Sequence, residues 1–150
     1  MMAFLIDTSI LVRLANATDA QHPLAARAVL ELHRRGEVLH ITPQILIEFR
    51  NVATRPPAAN GAGLAIVDTE NHAETLKAKF PLLAEIPDLY PAWKALVSAL
   101  GIVGKQVHDA RLVAVCHAHA GTHLLTFNVK HFCRMATFGP GVAMVDPGIV

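Results

Sequence analysis

Short apolar runs alternate along the chain with longer stretches in which apolar residues recur at helical spacing. Ala3 to Ile6 is the first run, stopped by Asp7-Thr8-Ser9, three residue types that favour helix caps. Ile10, Leu11 and Leu14 then return at helical spacing, so the opening predicts a buried strand, a cap and a helix. Pro23 to Arg35 predicts a second helix, with proline in its first turn and Gly36 at its stop. Val38 to Ile41 is another β-type run, and Thr42-Pro43 opens a third helix that runs to Thr54. Residues Arg55 to Gly61 predict a loop, because consecutive prolines and Asn-Gly end regular structure. Further helices are predicted from Leu64 to Lys79, Pro91 to Leu100 and Asp109 to Ala120. Short strands are predicted at Leu82-Leu83, His123 to Thr126 and Val142 to Val145, and Asn128 opens a loop or short helix.

Short apolar strands separated by helices imply right-handed βαβ units. The expected fold is α/β, three layers deep (α/β/α), around a central, mainly parallel sheet covered on both faces. No repeat or linker divides residues 1–150, which are expected to form a single domain. The chain is 53% hydrophobic and 17% charged, which excludes disorder. Arg13, Arg27, Glu48 and Lys94 interrupt the apolar stretches, so none approaches the roughly 20 residues that span a bilayer. Asp7 lies inside the apolar start and no basic segment precedes it, which excludes a signal peptide. The expected location is cytoplasmic, with Cys116 and Cys133 as reduced, buried thiols. Thirteen Lys and Arg against twelve Asp and Glu leave a charge of +1. Nucleic acid must then be met by a local patch or a second subunit.

The chemistry concentrates in four positions. In parallel sheets ligands bind beyond the carboxyl ends of the strands. Asp7 and Asn128 follow the first strand and the His123–Thr126 strand there. Asp109 precedes Leu112, Val113 and Cys116 at spacings that turn its carboxylate toward the buried side. Glu48 interrupts an inward stripe between Ile45 and Val52 and needs a partner, Arg50 and Arg55 being the nearest cations. Taken singly, Asp7 and Asp109 read equally well as helix caps, and Asn128 as a turn residue. Taken together, three acids in one cleft repel one another, by about 4 kcal/mol for a pair 4 Å apart at an effective dielectric near 20. A cation must offset that. Oxygen ligands without convergent His or Cys favour Mg²⁺ or Mn²⁺ over zinc.

The strings LIDTSILVRL, TPQILIEFRNVATRP, GKQVHDARLVAV and LLTFNVKHF, in that order, resemble a PIN-domain nuclease. They are similar in particular to the VapC-type toxins of bacterial toxin–antitoxin pairs. The resemblance implies a PIN-like fold and a Mg²⁺- or Mn²⁺-dependent endoribonuclease toxin. Such an enzyme cleaves RNA phosphodiester bonds through a metal-activated water, is neutralised by a cognate VapB-like antitoxin, and forms a homodimer. Carried over by position, Asp7, Glu48 and Asp109 match the acidic metal ligands, with water between Glu48 and the ion as one option. Asn128 falls where many members carry a fourth acid, a departure that leaves less charge for a second metal. Thr8 and Thr126 match neighbouring hydroxyl positions. Arg13, Lys105, Lys130 and Arg134 adjoin these segments as candidate phosphate contacts, and His108 as a residue that shapes the site or meets substrate.

Other constellations are weaker. His108, His117, His119, His123 and His131 lack the spacing of a structural zinc site. Gly61-Ala62-Gly63 is followed by Ile66 where a dinucleotide fingerprint has its third glycine. The alternative function is a catalytically inactive PIN-like module that binds RNA or protein.

Overall fold

The computed structural model describes residues 3–150. β1 (Ala3–Ile6) leads to α1 (Thr8–Ala15) and α2 (His22–Arg34), then β2 (Val38–His40) and α3 (Pro43–Thr54). α4 (Ile66–Lys79), α5 (Leu89–Leu100) and α6 (Gln106–Ala118) follow, before β3 (His123–Leu125), the single turn α7 (Val129–Phe132) and β4 (Ala143–Val145). The four strands form one parallel sheet in the order β2-β1-β3-β4, with helices on both faces, so the expected three-layer α/β/α arrangement is present.

Double coverage explains why the strands are apolar without alternation. Phe4, Leu5 and Ile6 are consecutive and all buried, because each face of a parallel sheet meets helices. Phe49 from α3, Phe80, and Leu112 and Val113 from α6 fill the same core.

Most predicted elements stand within two or three residues of their expected bounds, and α3 spans Pro43–Thr54 as expected, with Thr42 Oγ1 accepting from the Ile45 N–H. At Leu82-Leu83 there is no full strand. Leu82 makes a single parallel bridge to Ile41, with Ile41 N–H donating to Pro81 O and Leu83 N–H to Ile41 O. The loop after α3 turns so tightly that a Cβ on Gly61 would lie 1.9 Å from the Arg55 carbonyl oxygen. The expectation of two buried thiols is half corrected. Cys116 is buried, and its thiol is pushed up to about 12 by desolvation, whereas Cys133 is exposed. Cys133 opens a 3₁₀ turn directly after Phe132, which takes the buried position.

The sheet order places a switch point at the centre. From β1 the chain crosses to β2 on one side and later returns to β3 on the other. Two adjacent strands whose connections leave in opposite directions open a crevice at their carboxyl ends. Asp7 and Thr126 follow those two strand ends.

Candidate active site

Asp7 occupies the N-cap of α1 but does not cap it. Its Oδ2 accepts instead from Ser9 Oγ at 2.8 Å and from Thr126 Oγ1 at 2.7 Å. Thr126, fully buried, also accepts from the Asn128 N–H at 2.9 Å, and Ser9 Oγ accepts from the Phe127 N–H at 3.1 Å. Two hydroxyls thus clasp the ends of β1 and β3 together and fix the carboxylate between them. Asp7 Oδ1 has no hydrogen-bond partner among the described residues.

Glu48 is set from α3. Its Oε2 accepts from Thr8 Oγ1 at 2.9 Å and its Oε1 from Gln44 Nε2 at 2.8 Å, one helical turn earlier. The same Gln44 amide donates to the His108 carbonyl at 3.1 Å, and its oxygen accepts from Arg111 Nη1 at 2.6 Å. Arg111 in turn donates to Glu85 through its other terminal nitrogen. The arginines nearest Glu48 in sequence are occupied elsewhere. Arg50 pairs with Glu70, and Arg55 donates to the Asn60 carbonyl.

Asp109 is the fourth residue of α6 and so is not its cap, which settles the capping alternative for this position. The helix is buried on nearly all sides from Ala110 to Cys116, which brings Asp109, half-buried, to the mouth of the crevice. Its carboxyl is raised above the ordinary carboxylate range. Burial is the main cause, and the charges of Asp7 and Glu48 add to it against the opposing His131 and His108.

These side chains line one cleft of about 890 Å³. Asp7, Thr8, Glu48, Asp109 and Asn128 share its walls with Arg13, His108, Arg111 and His131. No Lys or Arg forms an ion pair with Asp7, Glu48 or Asp109 among the described residues. The donor set is hard oxygen, with negative charge that no direct ion pair offsets among the described residues, which fits a hard divalent cation. The acids share the cleft without closing on one point, since no ready-made group of three ligating side chains stands among the described residues.

Residues 4–137 match the PIN domain family, a span that runs from β1 past all four candidate residues. The chain belongs to the PIN domain family. No curated protein matches it. Among solved structures, this PIN domain is similar to a chain of VapBC2 from Rickettsia felis bound to a promoter DNA fragment. Identity is 16%, coverage 97% of this chain and 98% of that one, and the TM-score 0.69. It is likewise similar to VapBC-1 from nontypeable Haemophilus influenzae, at 18% identity, 98% and 99% coverage and a TM-score of 0.67. VapC20 of Mycobacterium tuberculosis, described as a sarcin-ricin loop cleaving toxin, follows at 21% identity, 87% and 94% coverage and 0.63. At such identities the likeness is one of fold.

Within this PIN domain the other candidates divide. Arg13 lines the cleft, its guanidinium donating to Gln21 and to the Ser9 carbonyl and lying 4.9 Å from the Phe127 ring centroid. Thr126 lies beneath the cleft as a support for Asp7. Lys105, Lys130 and Arg134 are not among the lining residues, and Arg134 is turned to the Leu100 carbonyl. Gln44, Glu85 and Arg111 escape the sequence reading, which takes Ser9 only as a cap type and weighs His131 only for zinc. Gln44 carried a usable signal, since it stands one turn before Glu48 in a well-capped helix. Arg111 and Glu85 carried none, because their meeting depends on how the segment before α5 lies against α6.

Proposed function

We propose that this PIN domain is the toxin of a toxin–antitoxin pair: a cytoplasmic, Mg²⁺- or Mn²⁺-dependent endoribonuclease, homodimeric and neutralised by a VapB-like antitoxin. The observation that carries the reading is the cleft at the β1/β3 switch point. There Asp7, Glu48 and Asp109 line one cleft beside Asn128, and burial, with the charges of the first two, raises the carboxyl of the third. The ion would be held by Asp7 and Asp109, with Glu48 reaching it through water, a pattern suited to Mg²⁺, which keeps several waters and takes one or two carboxylates directly. When bound, it supplies a Lewis acid for the scissile phosphate and lowers the pKa of water.

The chain's own residues do the rest. Ser9 and Thr126 hold Asp7 to one orientation, and Thr8 and Gln44 do the same for Glu48. Burial and its acidic neighbours disfavour the charged form of Asp109, so it is the acid that a bound cation would relieve most. Arg13 and His108 meet the phosphates on either side of the reacting bond, and Asn128 offers an uncharged amide to orient water or a phosphate oxygen. An antitoxin that placed an Arg or Lys among the three acids would replace the cation's charge and close the site. For the homodimer, Ile47, Ile66 and Val67 expose much of their apolar surface on α3 and α4, where a second copy would cover them.

Cleavage of RNA with Mg²⁺ or Mn²⁺, stopped by EDTA and leaving 5′-phosphate and 3′-hydroxyl ends, is the expected result. Fragment ends are read by mass spectrometry. A 2′,3′-cyclic phosphate formed in EDTA would mean attack by the ribose 2′-hydroxyl with a base such as His108, and would overturn the mechanism. RNA binding without cleavage under every metal condition would leave the catalytically inactive binding module.

A further inference from the structure

Adjoining the acidic cleft, and sharing Glu85 and Arg111 with it, is a hollow of about 440 Å³ on the α5 side. Its wall is Tyr90 and Trp93, one helical turn apart, the only tyrosine and the only tryptophan of the chain. Tyr90 is 64% exposed. Trp93 is fixed, its indole N–H donating to the Val107 carbonyl at 2.8 Å, two residues before Asp109. The two rings stand 5.8 Å apart at 31°, giving a tilted aromatic corner that is in place before any ligand arrives. Arg111 forms the boundary with the cleft, held between Gln44 and Glu85. A planar cation and an aromatic corner lining one hollow, at the edge of a site that acts on a phosphodiester, are chemistry suited to an unstacked nucleobase. In a duplex the base faces are covered, so only a single strand presents one.

We propose that this hollow is a nucleobase subsite for single-stranded RNA. It holds a base close to the scissile phosphate by stacking on Tyr90, with Arg111 bridging base subsite and phosphate site. The inference rests on the ribonuclease reading above. It adds a determinant of which strand, and which register, enters the cleft.

Because Trp93 is the sole tryptophan, its emission reports the subsite directly. Asp7→Asn protein in Mg²⁺, and the unaltered chain in EDTA, are titrated with short oligouridylate and oligoadenylate, with the same oligomers made abasic, and with an RNA duplex. Single strands are expected to change Trp93 emission, and abasic strands and duplex are not. Tyr90→Ala should weaken single-strand binding by about 5- to 150-fold, and Tyr90→Phe should restore it. Equal binding of abasic strands, or an unchanged affinity in Tyr90→Ala, overturns the subsite while leaving the ribonuclease reading intact. Failure of both proteins to bind any RNA overturns both. If Tyr90→Ala instead weakens only antitoxin binding, or turns a dimer into a monomer by light scattering, the aromatic corner belongs to a protein contact and the inference is wrong.

Discussion

The floor and the wall of the cleft are built in different ways. On the floor, Asp7, Ser9 and Thr126 are buried and joined over 2.7–2.8 Å by hydrogen bonds that also tie two neighbouring strand ends. On the wall, Glu48 is held by a relay through Gln44 and Arg111 to Glu85, which crosses from half-buried to exposed within four side chains. The two regions also treat their acids differently. Asp7 receives two hydroxyl donors, whereas Asp109 receives none among the described residues and is raised by burial and by its acidic neighbours. Buried short networks fix geometry, because their groups have no solvent to turn to. Long exposed side chains can exchange partners. The floor is therefore a preset anchor, and the wall an adjustable one in which Asp109 has no hydrogen-bond donor among the described residues.

The largest effect should come from removing either acid. Asp7→Asn and Asp109→Asn should each lower metal-supported RNA cleavage by at least about 1,000-fold, equivalent to roughly 4 kcal/mol of transition-state stabilisation. Circular dichroism should show the fold intact. Substantial activity in either variant would break the assignment of that acid.

The next effect separates floor from wall by stability. Thr126→Val keeps shape but removes the donor to Asp7 and the acceptor for the Asn128 N–H at a fully buried position. Leaving buried polar groups unpaired costs about 1–3 kcal/mol, so urea unfolding should show a loss of that size. A neutral outcome would mean that the floor is no more rigid than the wall.

The same contrast decides what was legible in the sequence. The floor is local: a strand, a stop and a cap type place Asp7 at one strand's carboxyl end, and LLTF places Thr126 and Asn128 at that of a second. The parallel sheet was readable because Phe4-Leu5-Ile6 and Leu124-Leu125 lack the alternation of a half-exposed strand. The wall is long-range. Its place on an inward stripe shows that Glu48 needs a partner, but the cations near it in sequence serve Glu70 and the Asn60 carbonyl. The residues that hold it are Gln44, on its own helix, and Thr8, forty positions away. For Asp109 the spacing to Leu112, Val113 and Cys116 gives the direction toward the interior, but α6 begins three residues earlier than its sequence pattern and is enclosed almost all round. Enclosure by α5, α7 and β3 leaves no periodic mark, because the five consecutive residues Leu112 to Cys116 are all apolar and buried.

A smaller effect, of opposite sign to the second, should appear in Asp109→Asn without metal. A carboxyl whose folded pKa is raised favours the folded state when protonated, and that contribution is lost as pH rises through the folded pKa. At neutral pH the charged Asp109 therefore costs stability, which the asparagine removes. Melting temperature in EDTA should rise at pH 7, by about 2–4 °C for each kcal/mol relieved. The gain should shrink to nothing below the unfolded carboxyl range. A destabilised Asp109→Asn at pH 7 would show that the wall, too, depends on its acid for folding.

The smallest effect tests how adjustable the wall is. Glu85 pairs with Arg111 at the rim, and their side chains are 52% and 29% exposed. Ion pairs with this much solvent contribute about 0.2–1 kcal/mol, screened further by salt. In Glu85→Gln the guanidinium keeps its hydrogen bond to Gln44, and the Gln44–Glu48 contact does not depend on Glu85. Stability should fall by less than about 1 kcal/mol, with little change left in high salt, while Glu48 stays oriented. Arg111 loses its competing carboxylate and becomes freer to meet RNA phosphate, so binding of single-stranded RNA should tighten a few-fold at low salt. If Glu85→Gln instead destabilises as much as Thr126→Val, the relay is structural from end to end, and the distinction between a preset floor and an adjustable wall fails at its outermost link.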